Sequence, residues 1–160
     1  MNPFYIACCF IILGSLPAQA QETFSHTEAG VDITIPAGWY YEHGESDFTV
    51  YTPGKEVGIT LAVIEGTEID QAVEAVDADL EKNFQNVKLG EATMAEANGM
   101  SCVEIDGTAT LDGEPVVIYY CLVVTPTGKI LEISAVGTPA EFDKYAQEIE
   151  QLDNSLKPTE

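Results

Sequence analysis

Apolar and polar residues alternate between residues 98 and 136, and strong turn signals divide this segment into strands. Alternation with a period of two predicts strands that bury one face. Asn98-Gly99 and Asp112-Gly113 predict two-residue type I′ turns, because both central positions of such a turn need a positive φ. These turns fix a register in which neighbouring strands share one apolar face. The predicted pairs are Ala97 with Met100, Met94 with Val103, Ala92 with Ile105, Leu111 with Glu114, Val103 with Leu122, Ile105 with Tyr120, and Gly107 with Ile118.

The next turn is predicted to be a four-residue loop at residues 125–128. It would place Leu131, Ile133 and Ala135 on the apolar face that carries Leu122. The opposite face is mixed, and we expect a helix to cover part of it and to leave an acidic margin exposed. Members of this mixed face are Cys102, Glu104, Asp106, Val117, Tyr119, Cys121, Val123, Ile130, Glu132 and Val136. Its predicted interaction residues are Glu104, Asp106, Tyr119 and Glu132.

Two segments have the spacing of amphipathic helices. The first follows a capping signal at residues 67–70, and the second follows Thr138-Pro139 with Glu141 completing a capping box. Their apolar stripes are Ile69, Ala72, Val73, Val76, Leu80 and Phe84 in the first, and Phe142, Tyr145, Ala146, Ile149, Leu152 and Leu156 in the second. Each stripe must face the sheet to be buried.

Further strands are predicted at residues 31–35, 48–51, 57–64 and 87–97, with an acidic loop at residues 41–47. The predicted order is βββ-α-ββββ-α. This pattern indicates an α+β fold, a sandwich around a largely antiparallel sheet.

Residues 1–20 have the pattern of a secretory signal peptide, with an apolar run from residue 4 to residue 16 and small residues before a cut after Ala20. The run is shorter than the ~20 residues that a membrane span requires, so no stable span is expected after cleavage. Residues 21–30 are predicted to be a flexible leader, and residues 31–158 a single domain. The protein is expected to be periplasmic or secreted.

The sequence has a net charge of −21, with six lysines and no arginine. Such a surface repels nucleic acid and anionic lipid. The charge has two interpretations: adaptation to a salty exterior, or capture of multivalent cations.

We expect added salt to raise the melting temperature, because it screens repulsion among the carboxylates. Thermal denaturation at low salt and at about 1 M salt checks this prediction. An unchanged melting temperature would contradict it.

Cys102 and Cys121 are predicted to lie diagonally on the mixed face, because Cys102 pairs with Val123. Diagonal Cα atoms ~7–8 Å apart are too distant for a relaxed disulfide. A bulge that shifted the register by two residues would place the cysteines opposite each other. Export permits a disulfide, so both a bridge and a pair of reduced thiols stay open.

Candidate catalytic groups are sparse. His26 and His43 have no nucleophile motif near them, so a nucleophilic enzyme is not favoured. Glu42, Glu45 and Asp47 could give oxygen ligands to calcium, although no EF-hand loop is present. Glu104 and Asp106 share a strand face and could act as a carboxylate pair. The spacing of the cysteines suggests no third zinc ligand, and no cofactor is implied.

Three landmarks resemble the PsbP-like and DcrB-like proteins: the Ile35-Pro36-Ala37-Gly38-Trp39 turn, the Asn98-Gly99 hairpin, and the closing helix from Pro139 to Asn154-Ser155-Leu156-Lys157. The resemblance covers nearly all of residues 21–160. It implies the α/β/α sandwich shared by PsbP, the Ran-binding Mog proteins and bacterial envelope proteins of the DcrB type. It also implies binding or accessory roles, and it supplies no catalytic residues.

The sequence therefore predicts an exported, non-enzymatic domain that docks a protein or another component of the cell envelope. The mixed face and the loop at residues 41–47 are the expected docking surfaces. The alternatives are a low-affinity calcium binder and a carboxylate-based hydrolase.

Overall fold

The computed structural model describes residues 21–44, 47–64 and 68–159. Within them, five strands precede the first helix: β1 (Glu22–His26), β2 (Val31–Ile35), β3 (Tyr40–His43), β4 (Asp47–Tyr51) and β5 (Gly58–Ile64). Helix α1 (Ile69–Asn83) is followed by β6 (Gln85–Leu89), β7 (Thr93–Ala97), β8 (Met100–Leu111), β9 (Glu114–Val124) and β10 (Ile130–Gly137). Helix α2 (Pro139–Ser155) and the short strand β11 (Lys157–Pro158) close the fold.

A central antiparallel sheet has the strand order β3-β4-β5-β10-β9-β8-β6, with β7 also pairing with β8. Helix α1 packs on one face, where Leu80 and Leu122 belong to the same buried cluster. Helix α2 and the small sheet β1-β2-β11 cover the other face, where Leu152 and Leu131 share a second cluster. The predicted α+β sandwich around an antiparallel sheet is confirmed.

The two predicted hairpins are confirmed. Asn98, Gly99, Asp112 and Gly113 all have positive φ, between 49° and 88°, as type I′ turns require. Ala97 pairs with Met100 and Met94 with Val103. The predicted pairs between β8 and β9 also form, including Val103 with Leu122 and Ile105 with Tyr120.

The predicted register of β10 is wrong by one residue. The loop occupies residues 125–129, where the Thr125 N–H donates to the Lys129 carbonyl at 2.9 Å and Gly128 has a φ of 77°. Glycine in this conformation accommodates the extra residue, and a one-residue slip exchanges the two faces of a strand. Leu131, Ile133 and Ala135 therefore lie in the α2 cluster, away from Val103 and Leu122. Both sheet faces are covered, so the fold accommodates this exchange.

Three other local predictions are corrected. Residues 21–30 contain β1, which pairs with β2 and stacks Phe24 on Phe48 with ring centroids 3.8 Å apart. Residues 41–47 contain most of β3 instead of forming a loop throughout. The strand expected at residues 87–97 is divided into β6 and β7, so Ala92 does not pair with Ile105. Gly90 marks this break, where its N–H donates to the Asp106 carbonyl at 2.7 Å.

Both helices form as predicted. Thr138 and Glu141 make the expected capping box at the start of α2. Helix α1 begins at Ile69 with Glu68 at its N-cap and no side-chain cap bond, while Thr67 lies outside the described residues. The predicted stripes pack against the sheet, except that Ala146 is exposed.

Candidate functional site

A groove runs between α2 and strands β8 and β9, with a volume of about 490 Å³. We call it the α2 groove. Its apolar surface comes from Val117 and Tyr119 of the sheet and from Phe142, Ala146 and Ile149 of the helix. Five carboxylates also line it: Glu104, Asp106, Asp143, Glu150 and Asp153. The groove thus joins apolar surface to an acidic rim.

Strand and helix periodicities build this groove. Glu104 and Asp106 are two residues apart on β8, and Asp106 pairs with Tyr119 on β9, so these side chains project from one face. On α2, residues at helical spacing turn the same side towards the sheet. The sequence predicts three of the lining residues, Glu104, Asp106 and Tyr119, as an interaction face, and the structure brings these three together.

A smaller cavity of about 210 Å³ adjoins the α2 groove and shares Glu104, Tyr119, Asp153 and Asn154 with it. We call it the thiol cavity, because Cys121 also lines it. Asn98 ties its wall to the end of α2: the side-chain amide donates to the carbonyls of Asn154 and Leu156 at 3.0 and 2.7 Å. The β7–β8 turn and the C-terminal end of α2 are thereby held together.

Asp153 is the most perturbed carboxyl group in these cavities. Burial raises the pKa of Asp153 to about 7, and the nearby charge of Glu104 adds to the effect. Burial also raises the pKa of Tyr119, with the neighbouring Cys121, Asp153 and Glu104 adding to it. The Tyr119 hydroxyl donates to Glu104 Oε1 at 3.5 Å. A perturbed carboxyl group in a cleft is typical of a functional site.

Cys102 and Cys121 are both buried, and no disulfide joins them in this structure. Burial is the main cause that raises the pKa of each thiol. The pairing of β8 with β9 runs without a shift from Cys102 to Leu111, so the two-residue bulge that would place the cysteines opposite each other is not present. A disulfide between them stays a prediction.

Glu104 joins the two cysteines in a tight group. One ligand atom from each of Cys102, Glu104 and Cys121 lies within 4.8 Å of the others. In the described part of the chain, no other three His, Cys, Asp or Glu side chains approach so closely. The spacing of the two cysteines gave no indication of Glu104 as a third ligand. The predicted pairing of Cys102 with Val123 contained the signal, because the same register places Glu104 opposite Cys121.

Glu132 does not belong to the predicted interaction face. The corrected register of β10 pairs Glu132 with Leu122, on the side covered by α1. There, burial raises the pKa of Glu132, and the charge of Asp79 on α1 contributes. Glu132 is therefore separated from Glu104, Asp106 and Tyr119 by the thickness of the sheet.

The predicted calcium ligands do not form a cluster in the described residues. The Glu42 carboxylate accepts from Lys55 at 2.7 Å, Asp47 begins β4, and Glu45 lies outside the described residues. The two histidines, far apart in sequence, instead meet around Phe24, whose ring lies 6.2 Å from His26 and 5.3 Å from His43. A flexible leader at residues 21–30, as the sequence predicts, would not make this contact.

The antiparallel sheet, with α1 on one face and α2 on the other beside a groove, has a PsbP-like fold. Several solved structures share this fold, including three that align over most of this chain. Cyanobacterial PsbP (CyanoP) from Synechocystis sp. PCC 6803 aligns with a TM-score of 0.67 and 13% identity over 91% of this chain and 96% of that chain. LpqN, involved in cell envelope biogenesis of Mycobacterium tuberculosis, aligns with a TM-score of 0.65 and 16% identity over 88% of this chain and 91% of that chain.

The third is a protein of unknown function and putative regulator from Pseudomonas aeruginosa, with a TM-score of 0.58 and 17% identity over 88% of this chain and 98% of that chain. In sequence, no family model and no curated protein matches the chain. At these identities the structural likeness shows the fold alone, and it confirms the predicted PsbP-like fold. Across the described residues, no helix is both long enough and apolar enough to cross a membrane.

Proposed function

We propose that this protein is an exported accessory domain that docks a cationic, partly apolar segment of a protein partner in the α2 groove. The observation that carries the proposal is the combination of apolar floor and acidic rim. Five carboxylates and no lysine are among the described residues that line the groove. A segment with lysine or arginine beside apolar side chains would complement both parts.

The arrangement of the rim favours a polypeptide over a single metal ion. No three rim carboxylates bring oxygen atoms within 4.8 Å of one another in the described residues. Calcium requires six to eight converging oxygen ligands, whereas separated carboxylates can meet separate cationic side chains. Nothing among the described residues supports the calcium alternative at Glu42 and Asp47.

Lys144, which follows the lining residue Asp143 in sequence, pairs with a carboxylate outside the groove. Lys144 on α2 binds Glu56 at 2.9 Å, and Glu56 also accepts from the hydroxyls of Thr52 and Tyr145 at 3.0 Å. This network fixes α2 to the turn between β4 and β5. Lys144 therefore neutralises Glu56 instead of a carboxylate of the groove rim.

Export and an accessory role are parts of the proposal. Export is supported by the signal pattern in residues 1–20, and the name of LpqN places one structural neighbour in cell envelope biogenesis. A hydrolase stays the alternative, and it predicts turnover that is lost on Glu104→Gln.

Peptide binding tests the docking function. A fluorescent peptide of alternating lysine and leucine is titrated against the protein, with a glutamate–leucine peptide as the sequence control. Neutralising Asp106 and Asp143 together, as Asn, should weaken binding of the lysine peptide about tenfold, at roughly 0.5–1 kcal/mol for each charge. Binding should also weaken with added salt.

The matched control is Asp112→Asn with Glu114→Gln, which removes two exposed charges at the β8–β9 turn, outside the groove. This variant should retain nearly full affinity. An equal loss of affinity for the lysine peptide in both variants would mean that net charge alone attracts the peptide, and it would overturn the proposal. A photoreactive residue at Ala146, in the native envelope, then identifies the partner segment, and a crosslinked segment without lysine or arginine would also count against it.

A further inference from the structure

We propose that Cys102, Cys121 and Glu104 form a binding site for a thiophilic divalent cation, with Zn²⁺ the best match. The site is built by the pairing of β8 and β9. Cys102 and Glu104 are two residues apart on β8 and project from the same face, while Glu104 stands directly opposite Cys121. One ligand atom of each therefore lies within 4.8 Å of the others. The site shares Glu104 with the rim of the α2 groove, but it does not require that a peptide docks there.

The donor set identifies the class of metal. Two sulfur ligands select zinc and related soft cations over calcium and magnesium, which take oxygen ligands. Zinc binds four ligands in most structural sites. Cys102, Cys121 and Glu104 supply three ligands, and a water molecule in the cavity beside Cys121 can supply the fourth.

The geometry suits a bridging ion better than a disulfide. A zinc ion ~2.3 Å from each sulfur leaves the two sulfur atoms ~4 Å apart. A disulfide instead needs sulfurs ~2.05 Å apart and Cα atoms that are usually within ~6.8 Å. Diagonal residues on neighbouring strands have Cα atoms ~7–8 Å apart, and the continuous register of β8 with β9 holds the cysteines in that relation.

Charge also favours a cation. Cys121, Glu104 and Asp153 line the thiol cavity, so a sulfur donor and oxygen donors face the same cavity. No lysine is among its described lining residues. On entry of the ion, each thiol loses its proton to solvent and becomes a thiolate ligand, so no oxidant or reductant is needed.

Metal titration of the full chain tests this site. Protein that has been reduced and freed of metal by a chelator is titrated with Zn²⁺ against a chromophoric competitor, and with Cd²⁺ by ultraviolet absorption of the thiolate–metal bond. We expect one equivalent of either ion and a thiolate–cadmium band. Cys102→Ser and Cys121→Ser should each weaken affinity more than about tenfold, because even lost outer-shell partners cost about 10- to 100-fold. Glu104→Gln should weaken it less.

Asp106→Asn is the matched control, because Asp106 lies on the same strand and face but outside the group of three. It should bind zinc as the unchanged protein does, although it belongs to the rim used for peptide docking. If a serine variant does not fold, alkylation of the unchanged protein replaces it: Zn²⁺, but not Ca²⁺, should slow labelling of both thiols. Three results would each overturn the site. They are no stoichiometric uptake of metal, a cadmium complex without the thiolate band, and a loss of zinc affinity in Asp106→Asn equal to that in the serine variants.

Discussion

Replacing Leu131 with alanine is expected to lower the free energy of unfolding by about 3 kcal/mol, because the cavity left in a packed core adds to the lost transfer energy. Leu131 is fully buried in the cluster between the sheet and α2, and it pairs with Val123 on one side and Val63 on the other. Denaturant unfolding monitored by circular dichroism measures the change.

Val124→Ala is the control, because this side chain is 40% exposed at the end of β9. Its effect should stay within about 0.5 kcal/mol, as expected for a surface substitution. A loss at Leu131 no larger than this control would contradict the packing of α2 against the β10 face.

Raising the pH is expected to destabilise the metal-free protein through Asp153. Its folded pKa is about 7, compared with an ordinary value of 3.8. Between these values the folded state holds a proton that the unfolded state has released, so stability falls as the pH rises. The shift corresponds to ~4 kcal/mol, and partial contact with solvent reduces our expectation to about 2 kcal/mol between pH 4 and pH 8.

Asp153→Asn should remove this component and make the protein more stable than the unchanged chain at pH 8. Asp143→Asn, at an exposed position of the same helix, controls for the lower net charge. Unfolding is measured in chelator across the pH range, so that no cation offsets the buried charge. A pH slope that is the same in Asp153→Asn and in the unchanged protein would refute the assignment.

Local signals account for the parts of the fold that the sequence predicts well. Asn98-Gly99 and Asp112-Gly113 set two hairpin registers, since their backbone preferences leave few alternatives. Thr138 and Glu141 likewise mark the start of α2 through a bond pattern that lies within four residues. In these cases the determining contacts are close in sequence.

The errors arise where distant contacts or one glycine decide the outcome. The φ of Gly128 lengthens one loop by a residue, and this transfers Glu132 to the other face. Phe24 stacks on Phe48, which is distant in sequence, and this contact stabilises β1, whose sequence has no strong strand pattern of its own. Similarly, Asp153 joins Glu104 and Cys121 only after α2 docks on the sheet. The sequence therefore predicts much of the interaction face but misses the thiol group.

Asn98 has two structural roles, one through its backbone and one through its side chain. Its backbone adopts a left-handed conformation with a φ of 49°, while its amide satisfies two carbonyls at the end of α2. Glycine would adopt this left-handed conformation as readily, but it has no side-chain N–H to donate to the helix carbonyls. Aspartate would also adopt it, but its carboxylate oxygens only accept hydrogen bonds and cannot satisfy those carbonyls. Few substitutions can therefore satisfy both the turn and the end of the helix. This one side chain thus links the β7–β8 turn to the C-terminal end of α2, two parts of the chain that are far apart in sequence.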